Sequence, residues 1–344
     1  MPLNNIAVFG ANGQLGQAII NALLGSAQGG FKVTAFIPPN TPQPALQAAT
    51  GDRNYNVATI DVLNATQAEL ESDLYGIDAV VSALNGKALE SQITIQDAAA
   101  AAVGVKRFYP SEYGFHHIYH KPDSDWGFVH PMWDLKAKLV AQAVRHPAID
   151  QGKMTYTVIG CGDFDNQDRE KVWCPWTQKE PESGVYKLHV IGSPDAKADY
   201  THIDDFAQYL AATLAEPEKS ENAHLNFVSD TISNREIATL LEKYTGKKAM
   251  LEQISDEDVH RRIADPDRAP AELKQSAFPV DFWHLVKGAQ GAGDFRRPKG
   301  EIHNRMFPGV KTTGFEQYIA RHLTQAEWDD LHGPAVRDAA EHSL

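Results

Sequence analysis

The sequence has little cysteine, fewer basic than acidic residues, and no long apolar runs. Its 344 residues include two cysteines, Cys161 and Cys174, whose spacing fits neither a zinc site nor a short redox pair. A disulfide scaffold is therefore excluded, and we expect two reduced structural thiols. Lysine and arginine total 32 against 45 acids, a net charge of −13, and no basic block is longer than Arg296-Arg297. Nucleic acid is therefore not an expected partner, since its binding needs clustered cations.

Length and hydropathy indicate a soluble protein with a substantial core. At about 100 to 200 residues per domain, a chain of 344 residues forms one large or two modest domains. No apolar stretch reaches the roughly 18 residues that span a membrane. The first residues lead straight into a predicted strand, without the charged and apolar regions of a signal peptide. We therefore expect a soluble, cytoplasmic protein that is not bound to a membrane.

Short apolar runs alternate with amphipathic stretches in the first part of the chain. Strands are predicted over residues 6–9, 31–37, 56–60, 77–84, 105–109 and 154–159. A helix pattern follows the first strand at once, and the clearest later helices are predicted over 91–103 and 132–144. Apolar strands that alternate with helices are typical of a parallel sheet covered on both faces. The pattern predicts an α/β fold with a doubly wound parallel sheet over residues 1–160.

The rhythm breaks after residue 160, where proline, glycine and tryptophan punctuate irregular segments. Ser233 and Glu236 form a capping box that predicts a helix start, and Gly246 is a plausible end of that helix. Residues 315–323 also have a helical pattern. We interpret residues 161–344 as a smaller, substrate-binding C-terminal cap, partly interwoven with the first domain.

A glycine-rich loop joins the first strand to the first helix. Glycine there permits a tight turn, close backbone approach to a pyrophosphate at the helix N-terminus, and packing of the helix on the strand. Because the loop lies at the first strand-to-helix joint of a βαβ series, it predicts a Rossmann-type dinucleotide site. The predicted cofactor-binding residues of this loop are Gly10, Ala11, Asn12, Gly13, Gln14, Leu15 and Gly16.

Three further strand ends bear on the cofactor. The second strand ends in Pro38-Pro39-Asn40, with neither the acid that grips an NAD ribose nor an arginine for a 2′-phosphate, so NADPH and NADH both stay open. Asp61 after the third strand is either an acceptor for the adenine amino group or a helix cap or surface acid. The fourth strand ends in small residues, and Ala83 and Leu84 are either pressed against the cofactor or part of a plain turn.

The fifth strand has an unusually polar exit. Ser111 and Glu112 are either a turn and helix cap, or Ser111 lies near the nicotinamide and orders a water or a carbonyl oxygen. Lys136 lies in the first turns of a later predicted helix, and by itself a lysine there is most simply a surface residue. His116 and His120 are spaced like ligands on a helix but lie in a loop sequence, so no metal site is predicted.

These motifs give the chain a specific resemblance. It resembles the isoflavone reductase-like and NmrA-like branch of the atypical short-chain dehydrogenases, which includes phenylcoumaran benzylic ether and pinoresinol-lariciresinol reductases. The run Pro110-Ser111-Glu112-Tyr113-Gly114 is the most specific element. Other matching stretches are residues 10–16, 78–84, 105–109, 135–138, 200–207, 232–237 and 309–313.

The resemblance implies an NADPH-dependent reductase of a small aromatic substrate, namely a phenolic ether, an enone or a carbonyl compound. It assigns catalysis to Lys136, which handles a proton while the cofactor supplies hydride, with Ser111 as a second catalytic candidate. Burial and a cationic nicotinamide both lower the pKa of such a lysine toward neutrality. Met132 stands where a standard short-chain dehydrogenase has the tyrosine of its Tyr-x-x-x-Lys pair, as in this branch.

Two departures from the family pattern keep alternatives open. The family's 2′-phosphate-binding arginine matches Pro38, which leaves NADH as an alternative cofactor. The loop with His116, His117, His120 and Trp126 is unlike that of the plant enzymes, so the substrate stays undefined beyond its aromatic character. The second function is a regulator of the NmrA type, which binds the dinucleotide as a redox signal and docks a partner protein. A homodimer is compatible with the sequence, which does not specify an interface.

Overall fold

The computed structural model describes residues 3–27, 30–44, 54–114 and 131–323. Their strands are β1 Asn5–Phe9, β2 Lys32–Ile37, β3 Tyr55–Thr59, β4 Ala79–Ser82, β5 Arg107–Tyr109, β6 Thr155–Cys161, β7 Asp163–Phe164, β8 Tyr186–Ile191, β9 Lys197–Thr201, β10 Ala223–Phe227, β11 Asp230–Ser233 and β12 Ala249–Ile254. Their α-helices are α1 Gln14–Leu24, α2 Gln67–Asp73, α3 Gln92–Ala101, α4 Pro131–Ala143, α5 Pro147–Asp150, α6 Ile203–Ala215, α7 Asn234–Thr245, α8 Asp256–Ala264, α9 Val280–Gly291 and α10 Phe315–Leu323.

The contacts divide the chain into two compact units. Unit 1 comprises Met1–Gly160, Ile203–Phe227 and Gly300–Lys311. Unit 2 comprises Cys161–His202, Val228–Lys299 and Thr312–Leu344. Each unit is therefore assembled from separate stretches of the sequence.

Unit 1 is built on a seven-stranded sheet. Its strand order is β10-β6-β5-β4-β1-β2-β3, and the pairs from β3 through β6 are parallel. The order changes direction between β1 and β4, which makes the carboxyl ends of these two strands the topological switch point of the sheet. The predicted doubly wound parallel sheet is confirmed, and this switch point is where such sheets bind ligands.

Apolar side chains on both faces of the sheet hold the helices in place. Phe9 and Phe36 stack with ring centroids 4.4 Å apart. They share one core cluster with Leu70 of α2, Ile95 of α3 and Leu139 of α4. Helix α1 packs against α6 and the β1–β2 pair. A strand that is buried on both faces needs apolar residues at successive positions, and this gives the continuous apolar pattern seen in the sequence.

Unit 2 contains two smaller sheets. One has the order β11-β9-β7, with β9 antiparallel to β11 and parallel to β7, and the other is the parallel pair β8–β12. Ser233 accepts a hydrogen bond from the Glu236 backbone in a complete capping box, and α7 ends at Gly246 in the left-handed conformation, φ 65°. Both predicted ends of α7 are therefore confirmed. No helix among the described residues is long and apolar enough to cross a bilayer.

A buried polar network links the loop after β7 to α9 within unit 2. The Asp163 carboxylate accepts hydrogen bonds from Trp173 Nε1 at 3.0 and 2.9 Å and from Gln290 Nε2 at 2.7 Å. Lys287 Nζ lies 3.8 Å from the same carboxylate and donates to Gln290 Oε1 at 3.2 Å. Burial raises the pKa of Asp163, and the Lys287 ammonium opposes that rise.

The two cysteines are both buried and are not joined. Cys174 Sγ donates to the Phe164 carbonyl oxygen at 3.4 Å. Burial raises the pKa of the Cys174 thiol well above its ordinary value, and the nearby Asp163 carboxylate adds to the rise. Since the thiolate is the reactive form, Cys174 is a packing residue rather than a nucleophile.

Candidate functional site

The glycine loop after β1 is a tight turn whose outer glycines are required by packing. Gly13 N donates to Gly10 O at 3.1 Å, which closes the turn. Gly10 has φ +77°, and a Cβ there would lie 2.5 Å from the Ala83 carbonyl oxygen at the end of β4. A Cβ on Gly16 would lie 2.2 Å from Gly10 O. Gly10 and Gly16 therefore let the loop, β4 and α1 approach each other.

Gly13 differs from these two glycines. A Cβ on it would meet a single neighbour, Gly10 O at 3.4 Å, and the residue is exposed. It is the N-cap of α1, offers no side-chain cap, and is followed by a first turn that contains no acidic residue. The first backbone N–H groups of a helix have no acceptor within the helix and favour an anion. The space over Gly13 thus fits a pyrophosphate, and a side chain would fill it.

The other residues predicted in this loop surround the same turn. Ala11 is buried, and the Asn12 carbonyl oxygen accepts from Gln17 Nε2 at 2.9 Å. Gln14 and Leu15 are half-buried at the start of α1. All seven predicted positions, Gly10, Ala11, Asn12, Gly13, Gln14, Leu15 and Gly16, therefore lie at one strand-to-helix joint beside the switch point.

The ends of β2 and β3 form turns. Pro38 directly follows β2, and its carbonyl oxygen accepts from Thr41 Oγ1 at 2.7 Å across Asn40, which has φ 59°. Asp61 is exposed, and its carboxylate accepts from Leu63 N at 3.2 Å and from Asn64 Nδ2 at 2.8 Å. Asp61 therefore stabilises its own turn, while α2 is capped by Thr66. A turn-forming carboxylate that is exposed keeps lone pairs for an adenine amino group.

The exit of β5 has an unusual backbone. Glu112 N donates to Pro110 O at 2.9 Å, a three-residue turn centred on Ser111. Tyr113 has φ 47°, an uncommon value for an aromatic residue, and its N donates to Ile159 O at 3.1 Å on β6. Its ring also meets Phe206 edge to face at 4.9 Å. A strained conformation held by several contacts is a frequent feature of functional sites.

Ser111 joins this exit to the neighbouring strand. It is buried, and its hydroxyl donates to the Leu84 carbonyl oxygen at 2.7 Å. Leu84 is also buried, and Ala83 is tied to β1 because its N donates to Phe9 O at 2.9 Å. The structure thus brings the predicted residues Ser111, Ala83 and Leu84 together at the carboxyl ends of β4 and β5.

Lys136 is a buried residue of α4, not a surface one. It is 9% exposed, and its Nζ donates to the Glu112 carbonyl oxygen at 3.2 Å. The strained exit of β5 therefore fixes the ammonium beside the switch point. Lys138, two positions further along α4, is exposed. Burial of one lysine and exposure of the other is what helical geometry gives for residues about 200° apart.

Sequence reasoning missed the glutamines that support this edge. Gln92 Oε1 accepts from Ser111 N at 2.8 Å, and Gln96 Nε2 donates to the Ala143 carbonyl oxygen at 2.9 Å. Both are buried in α3. The available signal was a pair of glutamines four positions apart in a helix otherwise rich in alanine and isoleucine. That spacing places both on one face of the helix.

Other sequence candidates lie elsewhere or outside the described residues. Arg53, the nearest cation after the second strand, lies in the undescribed ranges. The same holds for His116, His117, His120 and Trp126. In unit 2, the nitrogens of His189 lie 3.5 Å from Glu252 and 3.2 Å from Glu272. Different ring nitrogens of this imidazole face the two carboxylates, and one ligand atom from each of the three residues lies within 4.8 Å of the others.

The sequence profile of the NmrA-like family matches residues 2–318. An isoflavone reductase homolog of Zea mays is 28% identical over 326 residues, covering 93% of this chain and 98% of the relative. Asnovolin J 5′,6′-dehydrogenase of Aspergillus novofumigatus is 26% identical over 340 residues, covering 96% and 98%. The leucoanthocyanidin reductase–NADPH complex of Vitis vinifera has a TM-score of 0.70 at 18% identity, covering 93% and 99%. The resemblance predicted from the motifs is confirmed, and the chain belongs to the NmrA-like family.

Proposed function

We propose that this protein is an NADPH-dependent reductase of a small aromatic molecule, with Lys136 handling the proton. The single observation that carries this proposal is the buried Lys136 ammonium, held at 3.2 Å by the Glu112 carbonyl at the switch point of the sheet. A binding module has no need of a buried lysine at that edge, and burying an ammonium costs free energy. Membership of the NmrA-like family and relatives named as reductases or a dehydrogenase support the same function.

The residues present fit a dinucleotide. The open space over Gly13 and the first turn of α1 would hold the pyrophosphate, and Ala83 and Leu84 would border the nicotinamide half. Bound NADPH would supply a hydride. We propose NADPH as the cofactor, as in the leucoanthocyanidin reductase–NADPH complex. The turn at Pro38 contains no cation, so NADH stays open as a second cofactor.

The role of Lys136 follows from proton balance. A neutral amine takes the phenolic proton of a para-hydroxyaryl ether, and the released electron density expels the benzylic oxygen, which takes up a proton from solvent as it leaves. The resulting quinone methide accepts a hydride at its benzylic carbon, and the ammonium returns its proton to the phenolate that forms. For an enone or a carbonyl compound, the ammonium instead gives its proton to the developing oxyanion. In both cases one hydride and one proton are added, and positioned groups of this kind contribute about 10² to 10⁴ in rate.

We propose an aromatic substrate class for two reasons. The relatives are named for isoflavone and leucoanthocyanidin, which are phenolic ring compounds. An aromatic residue, Tyr113, also directly follows Glu112 at the exit of β5, where its ring packs on Phe206. Candidate substrates are therefore phenolic benzylic ethers, enones and quinones.

Lys136→Ala tests this function against Lys138→Ala as its matched control. Both remove one lysine from α4, one buried and one exposed. Titration with NADPH and NADH, followed by nicotinamide fluorescence, measures cofactor affinity, and oxidation of NADPH is then followed with the candidate substrates. We expect Lys136→Ala to lower turnover at least about hundredfold with cofactor affinity within about tenfold, and Lys138→Ala to change neither.

Two outcomes would contradict the proposal. Full turnover in Lys136→Ala would remove the lysine from the reaction. Wild-type protein that binds the oxidised dinucleotide but not the reduced one would instead favour a regulator that senses redox state.

A further inference from the structure

Helix α3 has two buried glutamines on one face. Gln92 is 1% exposed and Gln96 is 3% exposed. Positions four apart lie above one another on a helix, so both amides project in nearly the same direction. Buried amides are costly unless they are hydrogen-bonded. The partners of these two side chains therefore indicate what α3 holds in place.

Gln92 holds the exit of β5. Its Oε1 accepts from Ser111 N at 2.8 Å, and Ser111 is followed by Glu112, whose carbonyl accepts from Lys136. Because a backbone N–H can only donate, the Gln92 oxygen must face Ser111, which fixes the orientation of the amide. Its Nε2 has no hydrogen-bond partner among the described residues, although it is buried. The Gln92 amide is therefore oriented by its bond to the β5 exit, while its Nε2 lacks an acceptor in the part of the chain that the structure describes.

Gln96 holds the helix that carries the lysine. Its Nε2 donates to the carbonyl oxygen of Ala143 at 2.9 Å, and Ala143 is the last residue of α4. Lys136 and Ala143 are both buried residues of α4, two turns apart on one face. One terminal carbonyl of α4 is thereby satisfied by a side chain of α3.

We infer that Gln92 and Gln96 are positioning residues that together set the Lys136–Glu112 hydrogen bond. Gln92 fixes the acceptor side of that bond through Ser111, and Gln96 fixes the donor side through α4. One rigid helix thus controls both partners of a 3.2 Å contact. This inference rests on the proposed function, in which Lys136 handles the proton.

The physical basis is the buried position of the Lys136 ammonium against the Glu112 carbonyl. Loss of that contact lets the side chain move toward solvent. An acylating reagent then reaches Nζ more often, so the labelling rate of Lys136 reports its positioning without a substrate or a cofactor.

The test uses competitive labelling with trace acetic anhydride, with the rate at each lysine read by mass spectrometry. Gln92→Met and Gln96→Met keep side-chain length and helix propensity but remove the amide. Gln290→Met is the matched control, because Gln290 is a buried glutamine of α9 whose amide serves the Asp163 network. Exposed Lys138 on α4 is the internal reference in each sample.

We expect Gln92→Met and Gln96→Met each to raise the labelling rate of Lys136 at least about threefold relative to Lys138. Gln290→Met should leave that ratio unchanged although it lowers thermal stability. An unchanged ratio in a folded Gln92→Met or Gln96→Met would overturn the inference, as would an equal rise in Gln290→Met. If one α3 variant fails to fold, the other decides the outcome. Failure of the proposed function shows separately, as full turnover in Lys136→Ala with the labelling result intact.

Discussion

Two buried glutamines, one in each unit, use their amide groups differently. Gln290 in unit 2 uses both ends, accepting from Lys287 and donating to Asp163. Gln92 in unit 1 uses its oxygen for Ser111, and none of the described residues accepts from its Nε2. Both ends of the Gln290 amide are hydrogen-bonded, which is what a stabilising network requires. Each buried polar group left unpaired would lower the free energy of unfolding by about 1 to 3 kcal/mol.

The glycines differ in the same way between structural and functional positions. Gly10 and Gly16 are required by backbone atoms 2.5 and 2.2 Å from a would-be Cβ, while Gly13 leaves room for one. In unit 2, a Cβ on Gly291 would lie 1.6 Å from Ile191 O. Packing forces glycine at the first three positions, whereas at Gly13 an exposed helix start is open to the ligand that we propose. Stability and binding should therefore respond to different substitutions.

Lys287→Met should have the largest effect, and it should fall on stability. The substitution removes one partner of a buried ion pair and leaves the Asp163 carboxylate with less compensation. We expect unfolding to become easier by about 3 to 5 kcal/mol, measured by urea denaturation. NADPH affinity of the folded variant should stay within about threefold. A large loss of affinity without a loss of stability would contradict the structural role of this network.

Gly13→Val should have the opposite signature. Its side chain would occupy the space over the start of α1, so we expect NADPH affinity to fall at least about hundredfold, or about 2.7 kcal/mol. Stability should change by no more than about 1 kcal/mol, because a Cβ at this position meets one atom at 3.4 Å. Calorimetric titration and denaturation of the same sample measure both. Undiminished affinity would refute the loop assignment.

Gly16→Ala sharpens the comparison within a single loop. Its Cβ would lie 2.2 Å from Gly10 O, so the backbone of α1 or the turn must shift. We expect a loss of about 2 kcal/mol in stability, the usual scale of overpacking, although one methyl group is all that is added. A denaturation midpoint equal to that of wild type would show that the loop has more freedom than its packing indicates.

The smallest effect concerns the pH dependence of the unit 2 network. Burial raises the pKa of Asp163, so its contribution to stability is largest at acid pH and is lost as pH rises through the folded-state value. Lys287 opposes that rise, so its replacement by methionine should raise the pKa of Asp163 further. The destabilisation by Lys287→Met should therefore be smallest below about pH 4, the ordinary carboxyl value, and should increase as pH rises. A cost that falls with rising pH would contradict this electrostatic account.

The predicted fold and its loop were accessible from local patterns. Apolar periodicity and the placement of glycine predict the strand at Asn5–Phe9, its end at Gly10 and the helix from Gln14. The capping box at Ser233 and the end of α7 at Gly246 are likewise local signals. Helix α2 was predicted as one of the helical stretches between strands, but without bounds, because its seven residues bury one of them, Leu70, and give a short apolar pattern.

The candidate site was accessible only in part. Glycines and the polar run at Ser111 stand out in the sequence, but the roles of Gln92 and Gln96 depend on partners 19 and 47 positions away. The Asp163–Lys287 pair joins residues that are even further apart, and no local pattern marks it. Burial of such groups is a property of packing, which residue type and spacing do not reveal.

By itself, the sequence determined the parallel sheet, the glycine loop and the membership of its motifs in one family, because these depend on neighbours within a few residues. Only the tertiary structure decided that Lys136 is buried against Glu112, that Gly13 alone among the three loop glycines leaves room for a Cβ, and that side chains of α3 bind both Ser111 and Ala143. The physical reason is that hydrogen bonds and close approaches between distant segments are set by how helices and strands pack, after local preference has fixed what those elements are.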